Sequence, residues 1–313
     1  MRLIQKIHHA LLLLAELPRR LDKLEQAVGN IQTTLSQQNS SNAVQAHEFQ
    51  VYSQSGEDGI IQFLIKHVPI ANPVFVEFGV ERYTESNTRF LLTRNYWSGL
   101  VIDGSLANID FIKQDRLYWQ QALTAVHAFI DKDNLNELIV GNGFAGPIGL
   151  LSVDIDGNDY WVWQAINCVD PAIVICEYNS LFGSKRKVTI PYDKHFIRSK
   201  AHYSCVYYGA SLAALTHLAQ EKGYVLVGVN SRGNNVFFVK AVYAQAFQSL
   251  TSEQAYVRAQ FREARDKDGN LEFLNFEQAR EVIKELPLYD IETDRLIQVK
   301  DIYWINERCK GNY

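Results

Sequence analysis

Seven short apolar runs punctuate the middle of this chain: 74–79 (VFVEFG), 99–103 (GLVID), 123–129 (LTAVHAF), 148–154 (IGLLSVD), 172–177 (AIVICE), 224–230 (YVLVGVN) and 235–240 (NVFFVK). The stretches near 86–95, 106–118, 132–140, 159–167 and 209–222, between the first six, have helix length and composition. Strand–helix alternation of this kind predicts a mostly parallel sheet covered on both faces. The last two runs break the pattern. Only Ser231, Arg232, Gly233 and Asn234 separate them. That is too short for a crossover and right for a hairpin. The expected fold is α/β: a Rossmann-like, mostly parallel sheet ending in an antiparallel hairpin.

The chain has 313 residues, more than this sheet requires. Its 47% hydrophobic content supports a sizeable core and excludes global disorder. A net charge of −4 argues against a mainly electrostatic nucleic-acid binder. Cys168, Cys176, Cys205 and Cys309 show no CxxC spacing, which excludes a zinc ribbon and suits reduced thiols in a reducing compartment. No apolar run approaches the ~20 residues that span a bilayer. The run Ala10–Ala15 is closed by Glu16 and followed by Pro18, Arg19 and Arg20, so it reads as helix rather than signal peptide.

Residues 1–36 form an arm. Leu3, Ile7, Ala10, Leu14, Leu17, Leu21, Leu24, Val28, Ile31 and Leu35 recur at steps of 4 and 3 without a break. A strict heptad seam predicts a coiled coil and hence a homo-oligomer. A helix folded back on its own domain is the competing expectation. Leu11 to Leu13 keep open a third, contact with a membrane or a membrane-bound partner. Pro18 should kink this helix or mark its start. Residues 37–47 read as a polar linker. The α/β body is expected over 48–241, with Ser55 and Asp58 at capping-box spacing before an apolar helix. Residues 242–313 read as a helical cap or oligomer surface. Their helical patterns lie near 251–265 and 276–285, with the strand-like IYWI at 302–305.

Ligands of open parallel sheets bind beyond the carboxyl ends of the strands, so the residues closing each run are the candidates. Glu77 and Gly79 close the first run. The bulky, acidic turn after them (Val80, Glu81, Arg82, Tyr83) disfavours a pyrophosphate and suits a cofactor with a cationic centre and an amino-acid end. Asp103 and Gly104 close the second; a carboxylate there is the usual acceptor for ribose hydroxyls. Asp154, Asp156 and Asp159 crowd the fourth, and such crowding calls for a compensating cation such as Mg²⁺, Mn²⁺ or Ca²⁺. Glu177 and Asn179 close the fifth and fall on the neighbouring strand, fit for a metal site or an acid/base site.

Taken together, FVEFG, GLVIDG, LLSVDIDGNDYW, IVICEYN, and GYVLVGVN with NNVFFVK resemble a class I S-adenosylmethionine-dependent methyltransferase over about residues 50–240. The chain is most similar to the FkbM-type branch and, through DIDG and EYN, to metal-dependent macrocin-type sugar O-methyltransferases. The resemblance implies S-adenosylmethionine as cofactor, with Glu77 and Gly79 beside its methionine part and Asp103 and Gly104 at its ribose. It implies Mg²⁺ or Mn²⁺ on Asp156 and Glu177, with Asp154 and Asn179 as further ligands. The catalytic set is then Asp154, Asp156 and Glu177, with His195 and His202 as bases for a metal-free reaction. The segment 179–208, rich in Tyr and in Lys185, Arg186 and Lys187, should meet the acceptor; its basic groups suit an anionic one. That acceptor is expected to be a sugar hydroxyl of a polysaccharide, glycolipid or glycosylated metabolite. Two readings compete: a metal-dependent glycosyltransferase using Asp154-Ile-Asp156 as a DxD motif, and a catalytically inactive coiled-coil scaffold. The expected location is cytoplasmic, free or peripheral at the inner face of the membrane.

Overall fold

The computed structural model describes residues 2–260 and 263–302. The seven expected strands all form: β1 (Val74–Phe78), β2 (Ser98–Asp103), β3 (Leu123–His127), β4 (Gly146–Val153), β5 (Val169–Glu177), then, after a short β6 (Val188–Thr189), β7 (Tyr224–Val229) and β8 (Asn235–Lys240). They make one sheet in the order β3-β2-β1-β4-β5-β8-β7. The first five are parallel; β8 runs antiparallel to both β5 and β7. The sequence-adjacent pair β1 and β2 lies on one side of β4 and β5, so the order reverses between β1 and β4. A crevice opens there at the carboxyl ends.

Side-chain alternation along the strands divides the core in two. Val76, Leu100, Leu151 and Phe238 pack on one face with Trp163 and Leu215. Phe75, Val101, Leu150 and Phe237 pack on the other with Ile60, Leu64 and Leu91. Apolar on both sides, these strands read as near-continuous hydrophobic runs.

The entry to the helix Glu57–His67 departs from the expected capping box. Its cap is Gly56, at φ 98°, and Ser55 does not pair with Asp58. Ser53 does so instead: its hydroxyl accepts from the Asp58 amide at 3.0 Å, and Asp58 accepts from the amides of Val51, Tyr52 and Ser53 at 2.7–2.8 Å. The tight turn through Gly56 displaces the reciprocal pair from the usual spacing.

The C-terminal region is less helical than its sequence suggested: among the described residues only Ser252–Ala255 and Phe276–Ile283 are α-helical. The expected helix does not cover 256–260, which are irregular, and Ala264–Arg265 form β9, which pairs with β10 (Leu271–Glu272) across the charged turn. β11 (Pro287–Asp290) joins β12 (Arg295–Gln298) to β6 in a second, three-stranded sheet. Ile283, Leu288 and Val299 close a third core with Phe182, Val188 and Ile190. Lys185, Arg186 and Lys187 clamp this region to the body through Glu253, Asp290 and Glu292. Those basic groups thus face acids of the C-terminal region. Beyond Ile302 the IYWI run lies outside the described residues, as does Cys309.

The N-terminal helix is continuous from Arg2 to Gln38, straight through Pro18. From Asp22 onward it rests on the body by a polar and small-residue stripe. Tyr52 Oη donates to Asp22 at 2.5 Å, Arg94 Nε to Asn30 at 2.9 Å, and Lys66 Nζ to the Gln37 carbonyl at 2.9 Å. A β-carbon on Gly29 would lie 2.5 Å from Val51 Cγ2 and 2.9 Å from Phe90 Cζ, so only glycine lets the helix come this close. Among the described residues no helix is long and apolar enough to cross a membrane.

Candidate active site

Gly79 sets the crevice. It turns the chain out of β1 at φ +72°, and a β-carbon there would meet the Asp154 carbonyl oxygen at 1.7 Å. The β1 turn and the β4 loop thus touch backbone to backbone. On the β2 side lies a cavity of about 170 Å³, lined by Gly79, Asp103, Gly104, Phe129, Ile130, Asp154 and Asp156, among others. On the β5 side a second, of about 260 Å³, is lined by Gln54, Glu77, Asp154, Asp156, Glu177, Arg198, Tyr208, Asn234 and Asn235, among others. A third, of about 440 Å³, shares Arg198, Tyr208, Ala259 and Glu263 with the second. The C-terminal region supplies its far wall through Leu274, Asn275, Phe276 and Glu277.

Glu77 and Asp103 are held by backbone donors. Glu77 accepts from the amides of Asn87 (2.9 Å) and Thr88 (3.2 Å) and from the Thr88 hydroxyl at 2.5 Å. Its burial still pushes the carboxyl up to about 7. Asp103 accepts from the amides of Glu81 and Ser105 (2.8 Å each) and from the Asn108 side chain at 3.1 Å. A carboxylate has about four lone-pair sites, so Asp103 keeps capacity for a ligand.

Asp154, Asp156 and Glu177 differ. Each offers an oxygen within 4.8 Å of the others. Oε2 of Glu177 is buried without a hydrogen-bond partner. Burial, then the neighbouring carboxylates, hold Asp154 and Glu177 well above the usual carboxylate range. Asp156 sits in the left-handed region at φ 56°, where Asp is tolerated better than most residues. Asp159 organises this loop by accepting from the amides of Ile155 (2.8 Å) and Gly157 (2.9 Å). Arg198 supplies the nearby positive charge. Its guanidinium bonds Asp156 and lies 4.0 Å over the Tyr208 ring.

The structure therefore brings Glu77, Gly79, Asp103, Gly104, Asp154, Asp156 and Glu177 to one crevice. Asn179 is nearby but committed: its amide donates to the carbonyls of Val206 (3.1 Å) and Tyr208 (3.0 Å), and its oxygen accepts from Leu181 at 3.0 Å. Its amide nitrogen is committed to these carbonyls, and its oxygen keeps a second lone pair. His195 is exposed and lines none of the three cavities. His202 lines none either; its Nδ1 pairs with Ser204 Oγ at 2.7 Å. Arg198 and Tyr208 come from the 179–208 segment expected to meet the acceptor, whereas sequence reasoning missed the site positions of Gln54, Asn234 and Asn235.

No protein-family model matches the sequence, and no curated relative was found. Solved structures with similar architecture were found. The N-terminal domain of EvdMO1 with S-adenosylhomocysteine bound aligns at TM-score 0.40 and 10% identity, covering 66% of this chain and 94% of that one. A putative O-methyltransferase from Klebsiella pneumoniae gives 0.39 and 10%, with 69% and 90% covered. The O-methyltransferase from Bacillus cereus in complex with S-adenosylhomocysteine gives 0.36 and 11%, with 69% and 90% covered. At this distance the strand order carries the fold assignment. Five parallel strands with a reversal between β1 and β4, closed by an antiparallel hairpin, make the Rossmann-like fold of class I methyltransferases.

Proposed function

We propose that the protein is an S-adenosylmethionine-dependent O-methyltransferase that modifies a sugar hydroxyl with the help of a divalent cation. The carrying observation is the junction at Gly79, where a cavity with a ribose-type acid adjoins three clustered carboxylates. The residues suit the cofactor: Asp103 stands at the end of β2 with apolar Ile102, Phe129 and Ile130 beside it, and the Gly79 turn has no side chain to block close approach. They also suit a hard cation, since Asp154, Asp156 and Glu177 offer three oxygens within 4.8 Å of one another and Glu177 has a buried oxygen without a partner.

S-adenosylmethionine supplies a methyl group already activated as a sulfonium. The protein must hold the acceptor oxygen in line and take its proton. A divalent ion would bind sugar oxygens and lower the pKa of the reacting hydroxyl. A carboxylate of the Asp154, Asp156 and Glu177 cluster that the ion does not engage would accept that proton. Arg198 holds Asp156 in place, and Asp103 orients the ribose. The acceptor enters from the third cavity, whose charged groups are largely paired: Arg258 with Glu277 at 2.7 Å and Arg198 with Asp156. Such a wall offers donors and acceptors with little net charge and fits a neutral polyhydroxylated ligand.

Isothermal titration with S-adenosylhomocysteine, and in parallel with UDP-sugars and Mg²⁺, tests this reading. Binding of the first alone supports it. Binding of UDP-sugars alone would transfer the site to the glycosyltransferase reading, with Asp154-Ile-Asp156 as its metal motif. Binding of neither would favour an inactive scaffold.

A further inference from the structure

The N-terminal helix carries two stripes of the same period. Asp22, Gln26, Gly29, Thr33 and Ser36 face the body. Leu21, Leu24, Val28, Ile31 and Leu35 do not. At about 100° per residue the two stripes lie roughly 140° apart. The apolar stripe is therefore exposed although the helix is docked: from Ile7 to Leu35 its large side chains retain 45–61% of their accessible surface. Folding it back would require rolling the helix off contacts that include the glycine-dependent approach at Gly29. An apolar row this long, left outward by a helix already anchored through its polar face, wants a partner.

We infer that the partner is a second copy of the same helix, aligned parallel and in register. The repeat selects a helix rather than a flat surface, because a 3.5-residue spacing stays in line only when two helices supercoil. The flanking charges select the direction. With the seam at positions a and d, the g positions are Lys6, Leu13, Arg20, Ala27 and Thr34 and contain no acid. The e positions Leu11, Pro18, Glu25 and Gln32 contain no base. Antiparallel pairing sets g against g and e against e, and offers no attractive pair. Parallel pairing sets g against the partner's e five residues on, so Arg20 meets Glu25 of the other copy, twice by symmetry. Within one copy Arg20 reaches Glu16 at 3.2 Å, with both side chains largely exposed, an arrangement exchanged at little cost. The two bodies then sit on the outer faces of the coil, each held by its own Tyr52, Lys66 and Arg94 contacts.

Sedimentation equilibrium of the full chain should report twice the chain mass. Leu24→Asp with Val28→Asp should report a single chain mass with the circular dichroism of the body kept. For direction, Ile31→Cys, at a seam position, is oxidised and run on a non-reducing gel beside the wild type. Parallel in-register pairing sets position 31 against its own copy, so a disulfide-linked dimer absent from the wild type should form, whereas antiparallel pairing moves the two positions tens of ångströms apart, at about 1.5 Å per residue. No linked dimer above the wild-type level would overturn the parallel assignment. A wild-type monomer would overturn the self-pairing, and a monomer that co-sediments with phosphatidylglycerol vesicles would give the stripe to a membrane.

Discussion

The two sides of the crevice treat their carboxylates in opposite ways. On the β1/β2 side, Glu77 and Asp103 each accept three hydrogen bonds, mostly from backbone amides. On the β4/β5 side, Asp154 and Glu177 crowd one another, and a buried oxygen of Glu177 has no donor. The first pair belongs to the scaffold. These carboxylates fix loops whose shape then recognises a ligand, and each loop collapses somewhat if its acid is lost. The second pair is electrostatically incomplete: buried like charges cost free energy until a cation or a proton compensates them. Arg198 meets part of that need through Asp156. The rest is available to a metal or to the chemistry.

The largest effects should come from the incomplete side. Glu177→Ala and Asp156→Ala should lower methyl transfer by about two to four orders of magnitude, the usual worth of an acid/base group. S-adenosylhomocysteine affinity should stay within about twofold for Glu177→Ala, since Glu177 does not line the ribose-side cavity; Asp156 lines both cavities, so its variant should lose affinity as well. Single-turnover assays with labelled cofactor, alongside titration calorimetry, measure both. If EDTA also stops transfer and Mg²⁺ restores it, the cluster holds a metal. If transfer survives EDTA while both variants are inactive, the comparison sharpens differently: the carboxylates then act as bases without an ion.

On the saturated side the effect is smaller and falls on binding. Asp103→Ala removes an ionic acceptor, worth about 1.5–3 kcal/mol. Affinity for S-adenosylhomocysteine should fall roughly ten- to a hundredfold by calorimetry. Because Asp103 also pins the Glu81 and Ser105 amides, Asp103→Asn should recover part of the loss by keeping one oxygen. Equal losses in both variants would assign the charge, rather than loop order, to the ribose contact. Unchanged affinity in both would remove Asp103 from the site.

This division was only half legible beforehand. Apolar runs and the four-residue gap at 231–234 announced the sheet and its hairpin, because a buried parallel strand needs a continuous apolar run and a hairpin needs little chain. Strand-end acids located the crevice, since strand ends follow directly from strands. What periodicity could not convey was hydrogen-bond status. Nothing in the spacing of Glu77 or Asn179 says that they already hydrogen-bond backbone groups. Nor does the spacing of Arg198 say that it reaches from the start of a short helix to Asp156. The C-terminal region resisted reading because its elements are two to eight residues long and are held by ion pairs to Lys185, Arg186 and Lys187, distant in sequence.

The smallest expected effect is also the one that tests both sides at once, through the pH dependence of stability. Burial raises Glu77 to about 7 and Asp58 and Asp159 to about 6, and raises Asp154 and Glu177 as well. A carboxyl raised on folding binds more protons in the native than in the unfolded state. Its contribution is therefore full below the unfolded value and is lost as pH rises through the folded one. For Glu77 the window runs from 4.5 to about 7, and the loss is at most about 3 kcal/mol. The melting temperature should accordingly fall by several degrees between pH 5 and pH 8 in scanning fluorimetry, at about 2–4 °C per kcal/mol for a chain of this size. The two sides separate on adding Mg²⁺. The ion has nothing to offer Glu77, whose bonds are made. It should relieve Asp154 and Glu177 and so recover part of the drop at pH 8 while changing little at pH 5. Glu177→Gln, which removes one of the crowded charges, should reduce both the drop and the Mg²⁺ response. A response to Mg²⁺ undiminished in that variant would mean that the cation binds elsewhere, and the contrast between the two sides of the crevice would lose its electrostatic basis.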